Sequence, residues 1–303
     1  MSPALDATVK LPSVPRGDGE IFKDVSEEEN VGGKAVNVAR WLAIRGGAVV
    51  CGGLLGEDND RIFEKELAKY GIEDRFVRVS GATRRNEMVV WPNGSMKLNR
   101  AAFPGLKNLD GLDVVAELVK QDDLEGAVVI LSGSLPPCCS KSFYFEAVLR
   151  LKAKGLKVVL DASGEAMKLA LDANPDLIKP NADECGDLIG FVPKTEVDFA
   201  RATALLREKA DHVVISDGSA GAWFDGKFVA APKVDVVDTT AAGDTLLAEY
   251  CWQTYGVDAA SASTAAQWAV AAGSSACTMP GGAPPEDLKV QKLKDAIAEG
   301  GAK

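Results

Sequence analysis

Short runs that are apolar throughout, alternating with stretches of helical spacing, constrain the fold of this chain more than any other feature. Residues 128–131, 158–161, 177–179 and 213–216 have the length of buried strands, and 140–153, 164–171, 182–189 and 197–210 read as helices between and around them. A strand apolar on both faces is covered on both faces, so this order predicts a mostly parallel sheet flanked by helices, an α/β architecture. Residues 36–70 repeat the scheme as a helix, a strand at 49–55 and a second helix capped by Asp58 or Asn59. Two segments differ. They are residues 8–30 and 75–103; the second alternates apolar and polar positions around the Asn-Gly pair of its turn Trp91-Pro92-Asn93-Gly94, a hairpin signal, and together the two predict a small antiparallel lid on one domain spanning 1–303.

Composition removes several classes of function. The 303 residues carry 44 acidic against 34 basic side chains, a net charge of -10, with no lysine or arginine run. That balance opposes nucleic-acid phosphates and anionic lipid surfaces. The N-terminal residues lack the layout of a secretory signal, no apolar run is long enough to span a membrane, and a cytoplasmic protein is expected. One histidine, His212, lies at the start of an apolar run and reads as a strand-edge residue. A multi-histidine metal site is excluded, and so is histidine-based nucleophilic catalysis unless His212 is the base. The six cysteines sit mostly among apolar or small residues without a Cys-x-x-Cys pair, which predicts reduced thiols.

Chemistry concentrates in Asp238-Thr239-Thr240-Ala241-Ala242-Gly243-Asp244, which runs directly into a helical pattern at 245–255. Small residues at a helix start let backbone N–H groups approach an anion, and the helix dipole favours it. A carboxylate in such a turn repels phosphate, so Asp244 either takes a proton from an attacking hydroxyl or merely caps the helix. A second glycine turn, Gly32-Gly33-Lys34, opens the helix that carries Asn37.

Together these motifs resemble the two signatures of the ribokinase-like (PfkB) carbohydrate kinases. Further family-like blocks lie at 3–6, 83–86, 131–137, 179–184 and 216–221, in the family's order. Pro3-Ala4-Leu5-Asp6, Thr83-Arg84-Arg85-Asn86 and Ser132-Gly133-Ser134-Leu135-Pro136-Pro137 resemble the hexose-phosphate branch, and Asn99 with Phe103-Pro104-Gly105 resembles its 1-phosphofructokinases more than its other members. The resemblance implies a ribokinase-like fold and ATP- and Mg2+-dependent transfer to a ketohexose phosphate, foremost fructose 1-phosphate. Tagatose 6-phosphate or fructose 6-phosphate are the alternative acceptors, and a non-catalytic sugar-phosphate or nucleotide sensor is the alternative outside catalysis.

Residue by residue, the resemblance makes Asp244 the catalytic base and the backbone of Ala241, Ala242 and Gly243 the surrounding anion turn. Asp6, Gly33, Lys34 and Asn37 match positions that contact the sugar, Arg84 the arginine that grips its phosphate, and Ser134 adds a hydroxyl there. Lys179, Asn181, Ser216, Gly218, Gly221, Thr278, Gly281 and Gly282 match the nucleotide side, with Asn181 and Glu184 positioning Mg2+. A homodimer joined through the lid is also implied.

Three departures carry expectations of their own. Family members start with an apolar strand ahead of the block at 3–6, where this sequence has Met1-Ser2. Ala241 replaces a glycine, costing roughly 1–2 kcal/mol if its backbone is left-handed. Asp217 and Glu249 each place negative charge near the expected ATP site.

Overall fold

Strands β1 (Ala4–Lys10) and β2 (Ser26–Gly32) precede helix α1 (Lys34–Ile44) in a computed structural model that describes residues 2–17, 21–23, 25–103, 106–109, 113–120, 124 and 126–300. Strand β3 (Val50–Gly56), helix α2 (Asp60–Lys69) and strand β4 (Glu73–Val79) form a βαβ unit. β5 (Arg85–Trp91) and β6 (Gly94–Arg100) make the expected hairpin, with Asn93 in the left-handed region. Helix α3 (Val114–Leu118) leads to β7 (Val128–Ser132) and α4 (Phe143–Ala153). The alternation continues through β8 (Lys157–Asp161), α5 (Gly164–Ala170), β9 (Leu177–Ile178), α6 (Ala182–Ile189), α7 (Glu196–Leu206) and β10 (His212–Ser216). A hairpin of β11 (Gly221–Phe224) and β12 (Lys227–Ala230) precedes α8 (Ala242–Tyr255), α9 (Ala262–Ala276) and α10 (Asp287–Gly300).

The main sheet runs β12-β11-β10-β9-β8-β7, and its members β7 to β10 are parallel. Val158, Val159, Leu160, Leu177 and Ile178 have no exposed surface, because helices cover both faces. His212 is the first residue of β10 and pairs with Asp225, its Nδ1 2.8 Å from Oδ2. The six cysteines are free thiols. Among the described residues no helix is long and apolar enough to cross a membrane.

The lid is a four-stranded sheet in the order β2-β1-β5-β6, with β1 and β5 parallel at its centre and antiparallel strands outside. Its limits differ from the expected 8–30 and 75–103. The lid takes in residues 4–7, whereas β4 pairs in parallel with β3 beneath it. Alternating residues continue from β4 into β5, which hides the boundary. What separates them is Thr83, whose N–H donates to Asn59 Oδ1 at 2.8 Å and whose hydroxyl accepts from the Gly56 N–H at 2.8 Å. The pair β3–β4 stands as its own sheet and does not join β7. Residues 104–105, part of the stretch compared with 1-phosphofructokinases, lie outside the described residues.

Candidate active site

Parallel strands present their last residues along one edge of the sheet. Here that edge carries Ser132 of β7, Asp161 of β8, Lys179 directly after β9 and Ser216 of β10. The first turns of α1 and α8 converge on it. Lys34 Nζ donates to Asp161 Oδ1 at 3.0 Å, and Lys179 Nζ lies 3.4 Å from the same oxygen. Ser132 Oγ donates to Oδ2 at 3.3 Å. Asp161 is fully buried, so two ammonium groups share one carboxylate in a weakly polar setting. Sequence reading missed Asp161, although an aspartate closing an apolar strand at its C-terminal end was a usable signal.

Asp244 lies in the first turn of α8, 6 % exposed, and its Oδ2 accepts from Asn37 Nδ2 at 2.7 Å. Burial pushes its pKa up and the nearby Asp161 adds to this, while Asn37, Lys34 and Lys179 pull the other way without cancelling it. For Lys34 burial acts downward, but the carboxylates of Asp161 and Asp244 outweigh it and hold the ammonium above the ordinary lysine value. The orientation of Asn37 is fixed from behind, where its Oδ1 accepts from Arg40 Nη2 at 2.6 Å. Arg40 in turn pairs with Glu66 at 3.0 Å and donates to the Gly282 carbonyl at 3.2 Å.

Among the described residues no side chain caps α8; the Ala242 N–H donates to the Thr239 carbonyl at 3.3 Å, so the N–H groups left to meet an anion are those of the residues that follow. A Cβ at Gly243 would stand 3.5 Å from Lys179 Nζ, so the turn's backbone and the ammonium face one space. The residue that starts the helix, Ala241, has φ 64° and ψ 0°, the left-handed conformation. The cost anticipated for alanine there is therefore present. Ala241→Gly is expected to raise stability by about 1 kcal/mol, read as a higher melting temperature; an unchanged or lower value would refute the strain.

On the other side, Asn86 Nδ2 donates to Asp6 Oδ1 at 2.8 Å. A Cβ at Gly32 would fall 2.1 Å from Asp6 Oδ2, and one at Gly33, whose φ is 96°, would fall 2.9 Å from Pro3 Cα. Both glycines are thus required for Asp6 and the start of α1 to approach. Arg84 Nη1 donates to Ser134 Oγ at 2.9 Å, and its buried Nε has no partner among the described residues. Burial lowers the pKa of Arg84, with Asp6 and Tyr144 opposing. Its neighbour Arg85 is committed to Glu27, Glu29 and Glu87 of the lid.

A cleft of about 1160 Å³ opens beside the α8 turn. Of the residues expected on the nucleotide side, Asn181, Ser216, Gly218, Gly221 and Thr278 line it, together with Ala242 and Gly243. Gly281 and Gly282 do not. They pack under the turn, where Gly281 N–H donates to Asp238 Oδ2 at 3.0 Å and a Cβ at Gly282 would touch Thr240 and Ala241. Residues missed from sequence include Lys289, which donates to Thr278 Oγ1 at 2.6 Å, and the loop 231–237. Asp217 does not line the cleft. Glu249 also lies away from it, fully buried between α8 and α1, accepting from Trp41 Nε1 at 2.7 Å and Gln253 Nε2 at 2.8 Å beside Arg45. Asn181 and Glu184 form a capping box on α6, with Glu184 N–H donating to Asn181 Oδ1 at 2.7 Å and Asn181 N–H to Glu184 Oε2 at 2.9 Å.

Residues 8–288 match the model of the pfkB family carbohydrate kinases. The chain is 33 % identical over 264 residues to the 1-phosphofructokinase of Vibrio cholerae, covering 83 % of this chain and 80 % of that one. Phosphofructokinase-2 from Escherichia coli in complex with substrates and products superposes with a TM-score of 0.85 at 25 % identity, covering 98 % and 97 % of the two chains. Ribokinase from Thermotoga maritima shares the fold, with a TM-score of 0.71 at 21 % identity over 97 % of each chain.

Proposed function

Because the chain belongs to the pfkB family of carbohydrate kinases, we propose that it transfers the γ-phosphoryl group of ATP to the 6-hydroxyl of fructose 1-phosphate, giving fructose 1,6-bisphosphate. It is a phosphotransferase with an alcohol group as acceptor. What supports a phosphorylated acceptor is the presence of Asp244, a buried carboxylate free of any cation within salt-bridge distance among the described residues, and of Arg84, a half-buried guanidinium whose Nε has no partner among them; the choice of fructose 1-phosphate rests on the 1-phosphofructokinase relatives. The first suits a reacting hydroxyl and the second a phosphate already on the sugar.

In the proposed reaction Asp244 takes the proton of the 6-hydroxyl as its oxygen forms a bond to the γ-phosphorus and the bond to the bridging oxygen of ADP breaks. Asp6, Lys34 and Asn37 hold sugar hydroxyls, while Gly33 gives the backbone access it needs. Arg84 and Ser134 hold the 1-phosphate. The N–H groups of the turn Ala241–Ala242–Gly243 and the Lys179 ammonium stabilise the transferring group, whose loose transition state rewards positioning and charge neutralisation. Asn181, Ser216, Gly218, Gly221 and Thr278 line the ATP cleft, with Gly281 and Gly282 supporting its turn from below.

Kinases of this family use ATP, and Mg2+ is typical of them. Asn181 and Glu184 offer the hard oxygen donors that ion prefers, but each already gives one oxygen to the capping box. Among the described residues no three acidic, cysteine or histidine groups converge. Asn181 and Glu184 would help hold such an ion beside the triphosphate, where it would neutralise phosphoryl charge.

The test is ADP release with ATP and Mg2+, offering fructose 1-phosphate, fructose 6-phosphate and tagatose 6-phosphate in parallel. Fructose 1-phosphate is expected to give the highest kcat/KM; preference for either 6-phosphate would overturn the acceptor assignment. We also propose a homodimer through the lid, whose outer strand β6 lacks a second neighbour and exposes Met96 and Leu98 by 46 % and 43 %. Light scattering at micromolar concentration is expected to give twice the 31.8 kDa chain mass, and a monomer would contradict it.

A further inference from the structure

Arg40 is a buried guanidinium, 5 % exposed, to which the proposed reaction gives no task. It lies one helical turn after Asn37 on α1, so the two side chains share a face of that helix. Burying an arginine costs free energy unless acceptors meet its N–H groups. Nη1 is paired with Glu66 on α2, whereas Nη2 is divided between Asn37 Oδ1 and the Gly282 carbonyl. Nε, buried as well, has no partner among the described residues.

The direction of these bonds carries a consequence. A guanidinium has donors and no acceptor, so the Asn37 atom that faces Arg40 is the carbonyl oxygen. The amide must then present Nδ2 on its other side, where it meets Asp244 Oδ2 at 2.7 Å. A donor at that distance favours the ionised carboxylate. Turned over, the same amide would offer an oxygen and favour a protonated Asp244. The other charges that face Asp244 are Lys34 on α1, Lys179 after β9 and Asp161 at the end of β8. Both lysines are paired with Asp161, which leaves the turning of the amide to Arg40. Through Gly282 the guanidinium also reaches the loop beneath the α8 turn, since a Cβ at Gly282 would lie 3.1 Å from Thr240 Cγ2 and 3.5 Å from Ala241 Cβ. One side chain thus touches both the residue bonded to Asp244 and the loop under the turn that precedes it.

We propose that Arg40 is a positioning residue for phosphoryl transfer, holding the Asn37 amide with its N–H groups toward Asp244 and so keeping that carboxylate free to take a proton. This role rests on Asp244 as the base of the proposed reaction. The test follows kcat at saturating substrates between about pH 5 and pH 9 for the parent and Arg40→Met. Once the amide is free to turn, protonated Asp244 is favoured and a higher pH is needed to ionise it. The acid limb is expected to move up by about one pH unit, with the rate on the alkaline side lowered by less than about tenfold. A merely structural role would lower the melting temperature without moving the limb. If Arg40→Met fails to fold, Arg40→Lys, which keeps a charge beside Glu66, should move the limb in the same direction by less. Asn37→Ala separates orientation from long-range charge: in that background Arg40→Met should move the limb no further, and a shift that persists overturns the proposal.

A second arm needs no turnover. The gain in melting temperature of Asp244→Asn over its parent should grow with pH and level off at the folded-state pKa of Asp244. Adding Arg40→Met to both should carry that level to higher pH. A limb and a levelling point that both stay in place overturn the proposal. If Asp244→Asn abolishes turnover while the limb of Arg40→Met stays, only the role of Arg40 falls. If Asp244→Asn turns over like the parent, the base and Arg40 fall together.

Discussion

Asp244→Asn is expected to lower turnover by about 10²- to 10⁴-fold while leaving the fold intact. The amide keeps the acceptor oxygen that Asn37 Nδ2 bonds at 2.7 Å, so geometry survives and only proton uptake is lost. Stability supplies an independent check. Burial raises the pKa of Asp244 in the folded chain, so its contribution to stability is fullest below the unfolded-state value and is lost as pH rises through the folded-state value. At neutral pH the ionised side chain is then a net cost, and the asparagine variant should melt no lower than the parent. In the parent, the acid limb of kcat should lie above the ordinary aspartate range. Turnover within a few-fold of the parent would remove Asp244 from the role of base.

Arg84→Met is expected to raise the KM for the sugar phosphate by about 10²-fold with the KM for ATP nearly unchanged. A hydrogen bond to a charged group contributes roughly 1.5–3 kcal/mol, and a guanidinium can give a phosphate two of them. Arg84 spends one N–H on Ser134, is covered enough for burial to lower its pKa, and leaves a buried Nε unsatisfied. An anion arriving there replaces little protein pairing. Arg84→Lys should recover only part of the loss, because an ammonium lacks the planar fork. Initial-rate kinetics on both substrates decide it, and an unchanged sugar KM would place the sugar phosphate elsewhere.

Much of this was legible in the sequence because strands covered on both faces leave few alternatives: 158–161 and 213–216 could hardly be anything but interior strands. The turn at 238–244 was legible because glycine and alanine at a helix start point to anion binding, and Asp244 is conspicuous among them. The lid boundary was not, since the alternation of β4 continues into β5 and only tertiary bonds to Thr83 divide them. Asp161 became meaningful only when the fold brought it Lys34, 127 residues earlier in the chain. Glu249 was misplaced because closeness in sequence to Asp244 was taken for closeness in space. About a turn and a half further along α8 it faces α1 instead, where a buried carboxylate needs the Trp41, Gln253 and Arg45 partners it has.

The pinning of Thr83 to Asn59 and Gly56 gives its neighbour a mechanical meaning. Arg84 adjoins a fixed post on the body of the molecule and also touches Ser134, which follows β7, whereas Asp6 rides on β1 of the lid. In the proposed reading, a sugar phosphate would be moored at its phosphate end beside the body while its hydroxyls engage the lid. The acceptor would then act as a drawbar between the two. ATP alone, lying in a cleft walled by body residues, would have no grip on the lid, so hydrolysis to water should stay slow until a phosphorylated sugar is aboard.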